Sequence, residues 1–247
     1  MKKINSITFL SLLLVIISLA LYALELVIFR KPGNTLFYFL QDMAFLPLQA
    51  VIVIIVLGKI ISAREKRLMM KKINMAISAF FSEAGTEIMS SLLEFCRMPG
   101  DISVNLDVSG KWSGGDYKKA TKFIKENDFV FDCKIENLQA LKALMLEKRN
   151  FLLIMLENPN LLEHDTFSDL LWAVFHLTDE LLARESLTDL PAADIKHLAL
   201  DIKRAFNTLI VQWLSHMEHL KTDYPYLFSL EVRKNPFSEN NSIIIKE

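Results

Sequence analysis

Residues 35–57 read TLFYFLQDMAFLPLQAVIVIIVL, a run of 23 residues that is interrupted by one charged side chain, Asp42. A second run of 23 residues, 7–29, reads ITFLSLLLVIISLALYALELVIF and contains one charge, Glu25. Since an α-helix rises about 1.5 Å per residue, each run is long enough to cross a hydrocarbon core about 30 Å thick. The sequence therefore predicts a membrane protein with two spans.

Between the two runs lies Arg30-Lys31-Pro32-Gly33-Asn34, in which Pro32, Gly33 and Asn34 are turn formers. This segment predicts an antiparallel helical hairpin. The first run exceeds the apolar core of about 7–15 residues that is typical of a secretory signal, so we expect it to be retained as a span.

The basic residues predict the orientation of the hairpin. Two lie in the turn, whereas six follow the second run: Lys59, Arg64, Lys66, Arg67, Lys71 and Lys72. Because the more basic side of a span stays in the cytoplasm, both termini are expected there, with the chain in the inner membrane. The same six side chains are expected to contact anionic lipid headgroups, at about 1 kcal/mol each.

Composition narrows the class of the protein. The formal net charge of −1 argues against nucleic acid as a partner, since a nucleic-acid binder shows a basic excess. The two cysteines, Cys96 and Cys133, do not make a disulfide framework and are expected to be reduced, partly buried thiols.

Helical periodicity organises the rest of the chain. An apolar stripe continues past Leu57 and predicts one long helix to about Phe95, and four further helices are predicted at about 115–127, 136–157, 165–184 and 192–222. Residues 102–108 alternate like a strand but have no partner strand, so a connector is expected there. The prediction is an all-α chain with a hairpin at 1–58, a basic juxtamembrane helix at 59–97 and a cytoplasmic helical domain at 98–247.

Over nearly its whole length the chain resembles an uncharacterised family of prokaryotic two-span membrane proteins. The resemblance rests on Leu40-Gln41-Asp42, Phe45-Leu46-Pro47, Asn74-Met75, Phe80-Phe81-Ser82-Glu83, the run from Leu170 to Leu177, the run from Tyr224 to Leu230, and Asn235-Pro236-Phe237. It implies a membrane hairpin followed by a helical cytoplasmic domain, and no activity. The Asn-Pro-Phe segment is expected to form a turn.

Two acidic residues, Glu25 and Asp42, lie within the predicted spans, where a carboxylate is costly and often functional. Both lie near the external turn and could face each other. They predict either a polar contact that fixes the packing of the spans or, in an oligomer, a path for ions or protons.

Two polar residues fall on apolar helix faces. At about 100° per residue, Glu87 lies about −40° from Ile73, and His216 lies about −40° from Ile202. A buried carboxylate and a buried imidazole both need partners, so one hypothesis is that Glu87 and His216 pair. The alternative is that each is satisfied separately or partly exposed.

A metal site is a sharper hypothesis, because helical bundles hold metal ions through inward Glu and His side chains. The candidate ligands are Glu83, Glu87, His176 and His216. The sequence has no Glu-x-x-His motif, although it contains Asp194-Ile195-Lys196-His197. His176 and Glu180 lie opposite the apolar stripe of their helix and are expected to be a solvated pair.

Catalytic templates are absent from the sequence: it has no GxSxG, no GxGxxG and no Walker loop. The leading hypothesis is a non-enzymatic, membrane-anchored scaffold or regulatory protein whose helical domain binds a protein partner or itself, with no cofactor favoured. The alternatives are a metal-dependent helical enzyme or sensor and an oligomeric ion or proton conductor.

Overall fold

The computed structural model describes residues 16–17, 20–21, 23–24, 27–28, 32–162, 164–238 and 243–244. These residues contain no strand, only one isolated bridge between Cys96 and Phe131, so the all-α class is confirmed. Numbered in chain order, the helices are α1 (Pro32–Phe80), α2 (Thr86–Leu93), α3 (Pro99–Leu106), α4 (Gly114–Glu126), α5 (Ile135–Leu156), α6 (Pro159–Leu162), α7 (Asp165–Ala183), α8 (Ala192–Asp223) and α9 (Pro225–Arg233).

The first long helix, α1, begins at Pro32 and continues through Pro47 to Phe80. The predicted turn is therefore wrong for Gly33 and Asn34, which lie in the first turn of this helix. Proline suits the first helical position because its missing N–H would have no partner there. The other two residues of the predicted turn, 30–31, lie outside the described residues.

The first predicted span, residues 7–29, lies largely outside the described residues. Those of its residues that the structure describes, between 16 and 28, are helical. The second predicted span lies wholly within α1 and is one unbroken helix. Two antiparallel spans therefore stay a prediction, whereas the long apolar helix is observed.

A π-turn, Phe81–Gly85, joins α1 to α2. The backbone N–H of Thr86 donates to the carbonyl oxygen of Phe81, five residues earlier, and the Thr86 hydroxyl donates to the same oxygen at 2.9 Å. The turn needs glycine at position 85, because a Cβ there would lie 2.6 Å from the Phe80 ring and 2.7 Å from the Phe81 ring. A π-turn contains about one residue more than a turn of α-helix. The side chains that follow it are therefore shifted by about 90° around the helix axis from the positions that a continuous α-helix would give them.

The chain divides into two compact units, Met1–Lys66 and Arg67–Glu247. The second unit has a core that includes Ile73, Ile77, Phe80 and Ile88, each at most 2% exposed. This division differs from the predicted boundary at 97/98. The apolar stripe of residues 73–95 is buried because it packs into the helical domain, and the domain therefore begins near residue 67.

Within the second unit, α8 is the central helix and packs against α2, α4, α7 and α9, while α5 packs against α2 and α7. The four helices predicted after residue 115 match α4, α5, α7 and α8 to within one or two residues at each end. Their long apolar stripes explain that agreement, because each stripe is covered by neighbouring helices of the domain.

The predicted connector after residue 98 is wrong, because residues 99–106 form the helix α3. Pro99 occupies the first helical position, just as Pro32 does in α1. Ile102 and Leu106 are buried four residues apart, whereas Val104 between them is 81% exposed. This spacing fits a helix face and not the two faces of a strand.

Asn235 links the segment after α9 to the end of α3. Its Nδ2 donates to the carbonyl oxygen of Leu106, at the end of α3, at 3.0 Å, and its Oδ1 accepts from the backbone N–H of Phe237 at 3.0 Å. The Phe237 ring makes an edge contact with Trp213, with ring centroids 5.4 Å apart. The expected Asn-Pro-Phe turn is therefore confirmed, and the side chains of Asn235 and Phe237 are buried.

Candidate functional site

The apolar part of α1 is exposed along its length. In the described part of the chain, one helix is long and apolar enough to cross a membrane, by length and composition. Its most apolar segment has no buried residue. Asp42 lies in this helix with an exposed side chain, whereas Glu25 lies outside the described residues. The predicted contact between the two acids stays a prediction.

The six basic residues after the predicted span all have exposed side chains: Lys59, Arg64, Lys66, Arg67, Lys71 and Lys72. They follow the apolar part of α1 on the same continuous helix. Exposure leaves the ammonium and guanidinium groups free to meet anionic headgroups. Lipid contact by these side chains stays a prediction.

The structure does not pair Glu87 with His216; it agrees with the alternative, in which each is satisfied separately or partly exposed. The Glu87 carboxylate is 58% exposed and lies 3.1 Å from the Nζ of Lys148. The π-turn before it explains the error: a delay of about 90° moves Glu87 off the apolar stripe and places Ile88 on it. Ile88 is fully buried.

His216 is buried, as predicted, and is 4% exposed. Its ring stacks on the ring of Phe81 in the π-turn, with centroids 5.2 Å apart and an interplanar angle of 11°. Burial and, to a smaller extent, the neighbouring His219 lower the pKa of His216 to about 4. His216 is therefore a neutral part of the core at pH 7.

The four candidate metal ligands Glu83, Glu87, His176 and His216 do not form one site. Glu83 and Glu87 are exposed on the first turns after Phe81, and His216 is occupied by its stacking contact. The structure instead brings His176 together with His197 and Asp201, whose ligand atoms all lie within 4.8 Å of one another. This cluster is the candidate functional site.

The cluster lies between α7 and α8, which run antiparallel. Residue 176 meets 201, residue 180 meets 197, and residue 184 meets 194. On each helix a histidine and an acid are four residues apart and so share one face: His176 and Glu180 on α7, His197 and Asp201 on α8. The packing of the two helices therefore creates one group of two imidazoles and two carboxylates.

Four distances define this group, which we call the His-acid cluster. The Nε2 atoms of His197 and His176 lie 3.2 and 3.5 Å from the Oδ2 of Asp201. The same two nitrogens lie 3.6 and 3.9 Å from oxygens of Glu180. Both histidines are about half exposed, whereas the Asp201 side chain is 3% exposed. The inner side of the cluster, at Asp201, is therefore buried, and its outer side, at the two histidines, is open to solvent.

Two arginines hold the carboxylates in place. Nη1 of Arg204 donates to Oδ1 of Asp201 at 2.8 Å, and Nη1 of Arg184 donates to Oε2 of Glu180 at 2.8 Å. Arg184 also makes a bidentate pair with Asp194, at 2.7 and 2.8 Å. The hydrogen bond from Arg184 lowers the pKa of Glu180, so this carboxylate is charged at neutral pH.

Asp201 is the member of the cluster that sequence reasoning missed. The expected solvated pair of His176 and Glu180 is only partly exposed, because it faces α8. A usable signal was present: the histidine and acid at 176 and 180 are followed, on the next helix, by a histidine and acid at 197 and 201 with the same spacing. Two such pairs on antiparallel neighbours meet when the connecting loop is short.

The two cysteines are free, with Cys96 buried and Cys133 partly buried. Burial raises the pKa of both thiols, that of Cys133 to about 11. A thiol that stays protonated is a weak nucleophile and a weak metal ligand, so neither cysteine adds to the candidate site.

Comparison with known proteins identifies two matching family models. The C-terminal helical domain of uncharacterized protein MJ1433 matches residues 69–233, and the N-terminal helical domain of that protein matches residues 2–61. The chain belongs to the MJ1433 family. The gap between the two matched regions contains the division at Lys66 and Arg67, so the family domains coincide with the two structural units.

One relative in this family is uncharacterized protein MJ1433 of Methanocaldococcus jannaschii. It is 42% identical to the chain over 234 residues, which cover 95% of this chain and 94% of the relative. No solved structure matches the chain. Membership of the MJ1433 family confirms the expected resemblance to an uncharacterised family of helical proteins and leaves the two-span architecture as a prediction.

Proposed function

We propose that this chain is a membrane-anchored helical protein whose C-terminal domain works at the cytoplasmic face of the cell membrane as an interaction module. Its partner is another protein or a second copy of the chain. The proposal includes two spans, with residues 7–29 as the first and 35–57 as the second, and both termini in the cytoplasm. It includes no catalytic activity and no nucleic acid.

The observation that carries the proposal is the exposure of the apolar part of α1. Large apolar side chains such as Phe37, Ile54 and Leu57 are 51–69% exposed. An apolar surface of that extent is not stable in water and indicates burial in lipid or against another protein. Since 23 residues rise about 34 Å, the length suits a bilayer.

The basic residues at 59–72 support the orientation and the location of the helical domain. They follow the apolar segment directly, and an excess of Lys and Arg within about 15–20 residues of a span keeps that side in the cytoplasm. The inner leaflet is anionic and attracts such a segment. The helical domain is therefore held close to the membrane surface.

Trp172 supports a protein partner. It lies on α7 and is 59% exposed, although tryptophan is among the side chains most enriched at the centres of protein interfaces. It precedes His176 by four residues and so shares a helix face with the His-acid cluster. The described residues add no observation for the ion or proton conductor, since Glu25 lies outside them.

Photo-crosslinking in native membranes tests the interaction. A photoreactive amino acid in place of Trp172 should give an adduct of defined mass, whose size distinguishes a second copy from another protein. The matched position is Lys122, an exposed residue of α4 that should give none. Failure to obtain any adduct at position 172, in membranes that hold the folded chain, would contradict the interaction proposal.

The orientation gives a second prediction. A reporter that is active only in the cytoplasm should be active when fused after Glu247, because the basic residues follow the second span. Changing Lys59, Arg64, Lys66 and Arg67 to glutamine should produce a mixture of orientations.

The control for orientation is the same number of basic residues far from the span. Changing the exposed residues Lys118, Lys119, Lys122 and Lys125 of α4 to glutamine should leave the reporter fully active, since charge at that distance does not set topology. A reporter at the carboxyl end that works only after export would overturn the proposed location.

A further inference from the structure

The buried inner side of the His-acid cluster contains a carboxylate oxygen that accepts no hydrogen bond. Oδ2 of Asp201 has no hydrogen-bond partner among the described residues, although the side chain is 3% exposed. Burying a carboxylate oxygen without a hydrogen-bond donor or a cation beside it costs free energy. The two imidazole nitrogens are 3.2 and 3.5 Å away, yet neither is aligned to donate to this oxygen.

We infer that His176, Glu180, His197 and Asp201 form a binding site for a divalent transition-metal ion, with Zn²⁺ the ion that suits the donor set. Imidazole nitrogens and carboxylate oxygens are both zinc ligands in proteins, and four of them complete a tetrahedral site. A cation between them would satisfy the buried oxygen of Asp201. This site goes beyond the proposed interaction module and does not depend on it.

The spacing of the four ligand atoms fits one ion. In a tetrahedral zinc site with metal–ligand distances of about 2.0–2.1 Å, two ligand atoms are about 3.3 Å apart. The four nitrogen–oxygen distances in the cluster are 3.2, 3.5, 3.6 and 3.9 Å. The two shorter distances join both histidines to the same oxygen of Asp201, whereas the two longer ones end at different oxygens of Glu180, Oε2 for His197 and Oε1 for His176. Small rotations of the side chains therefore bring the two imidazole nitrogens, Oδ2 of Asp201 and one oxygen of Glu180 to bonding distance.

The surrounding hydrogen bonds also fit a metal site. Ligating carboxylates in proteins are themselves hydrogen-bonded, which fixes their orientation. Arg204 binds the Oδ1 of Asp201 and leaves Oδ2 facing the histidines. Arg184 binds the Oε2 of Glu180 and leaves Oε1 facing His176. The exposed edges of His176 and His197 give an ion a path from solvent.

The competing explanation is an ion-pair cluster in which protonated histidines neutralise the acids. The two explanations predict different results for the apo chain. An ion-pair cluster binds no metal with defined stoichiometry, whereas the metal site binds one ion per chain. The metal proposal also predicts stabilisation, because an ion that binds only the folded state raises the free energy of unfolding by mass action.

The test is calorimetric titration of Zn²⁺ into the full chain in detergent after chelation, with the thermal unfolding midpoint as a second readout. The expected result is one Zn²⁺ per chain and a higher midpoint. Changing His197→Gln or Asp201→Asn should weaken Zn²⁺ binding at least about tenfold. His197 is half exposed, so its variant keeps the fold even if Asp201→Asn does not.

The control uses a histidine and acid with the same spacing elsewhere in α8. Nδ1 of His219 lies 2.8 Å from Oδ2 of Asp223, four residues later, and this pair is outside the cluster. Changing His219→Gln should leave the affinity for Zn²⁺ unchanged. Absence of stoichiometric binding in the unsubstituted chain, or equal weakening by His197→Gln and His219→Gln, would overturn the metal site.

Discussion

Replacing Gly85 with alanine should lower the free energy of unfolding by about 3 kcal/mol, because the π-turn has no space for a methyl group. A Cβ at this position would lie within 3 Å of ring atoms of both Phe80 and Phe81. Neither ring can move away easily, since both are at most 1% exposed and Phe80 also packs edge-on against Phe167 at 5.5 Å. Chemical denaturation in detergent, followed by circular dichroism, measures the change.

Gly100 provides the matched control for Gly85. It lies in the first turn of α3, is exposed, and has no atom within 4 Å of the position that a Cβ would take. Alanine favours the helix there, so Gly100→Ala should raise the stability by up to about 1 kcal/mol. If Gly85→Ala were also neutral or stabilising, the close packing of the π-turn against Phe80 and Phe81 would be contradicted.

Lowering the pH from 7 to 4 should remove about 3 kcal/mol of stability through His216. Burial lowers the pKa of this residue to about 4 in the folded chain, whereas it is about 6.5 in the unfolded chain. Below pH 6.5 the unfolded state therefore binds a proton that the folded state does not. Stability is complete above about pH 6.5, falls as the pH is lowered, and levels off below about pH 4.

The measurement is the free energy of unfolding between pH 7 and pH 4, for the unsubstituted chain and for His216→Leu. Leucine cannot titrate, so the variant should lack this part of the pH dependence. Carboxylates such as Glu180, whose pKa is lowered by Arg184, change the stability of both chains alike. The difference between the two curves isolates His216, and parallel curves would show that the buried imidazole does not titrate as described.

Most of the fold could be predicted from apolar spacing. The helices α4, α5, α7 and α8 have long stripes that are covered by neighbours, so their limits follow from the sequence. The short helix α3 could not be predicted in this way, because Ile102, Val104 and Leu106 fit both an alternating and a helical pattern. Only tertiary packing, which buries Ile102 and Leu106 and exposes Val104, decides between the two.

The candidate site was less predictable, for two physical reasons. A single π-turn shifts the angular position of every later side chain on the helix. The sequence of residues 81–85 does not indicate such a turn, so Glu87 was assigned to the wrong helix face. The His-acid cluster depends on how α7 and α8 are aligned along each other, which periodicity within one helix does not encode. His176 and Glu180 were recognised as a pair, but the matching spacing of His197 and Asp201 on the next helix was missed, and the alignment of the two helices brings the pairs together.

The link made by Asn235 has a consequence for how the domain folds. The hydrogen bond from its Nδ2 to Leu106 joins residues that are 129 apart in the chain. Contacts across so long a loop form late, because the entropy of closing the loop is lost before the contact compensates for it. During synthesis the end of α3 and one side of Trp213 stay uncovered until Asn235 and Phe237 have been made. The nascent helical domain is therefore open to aggregation for most of its translation.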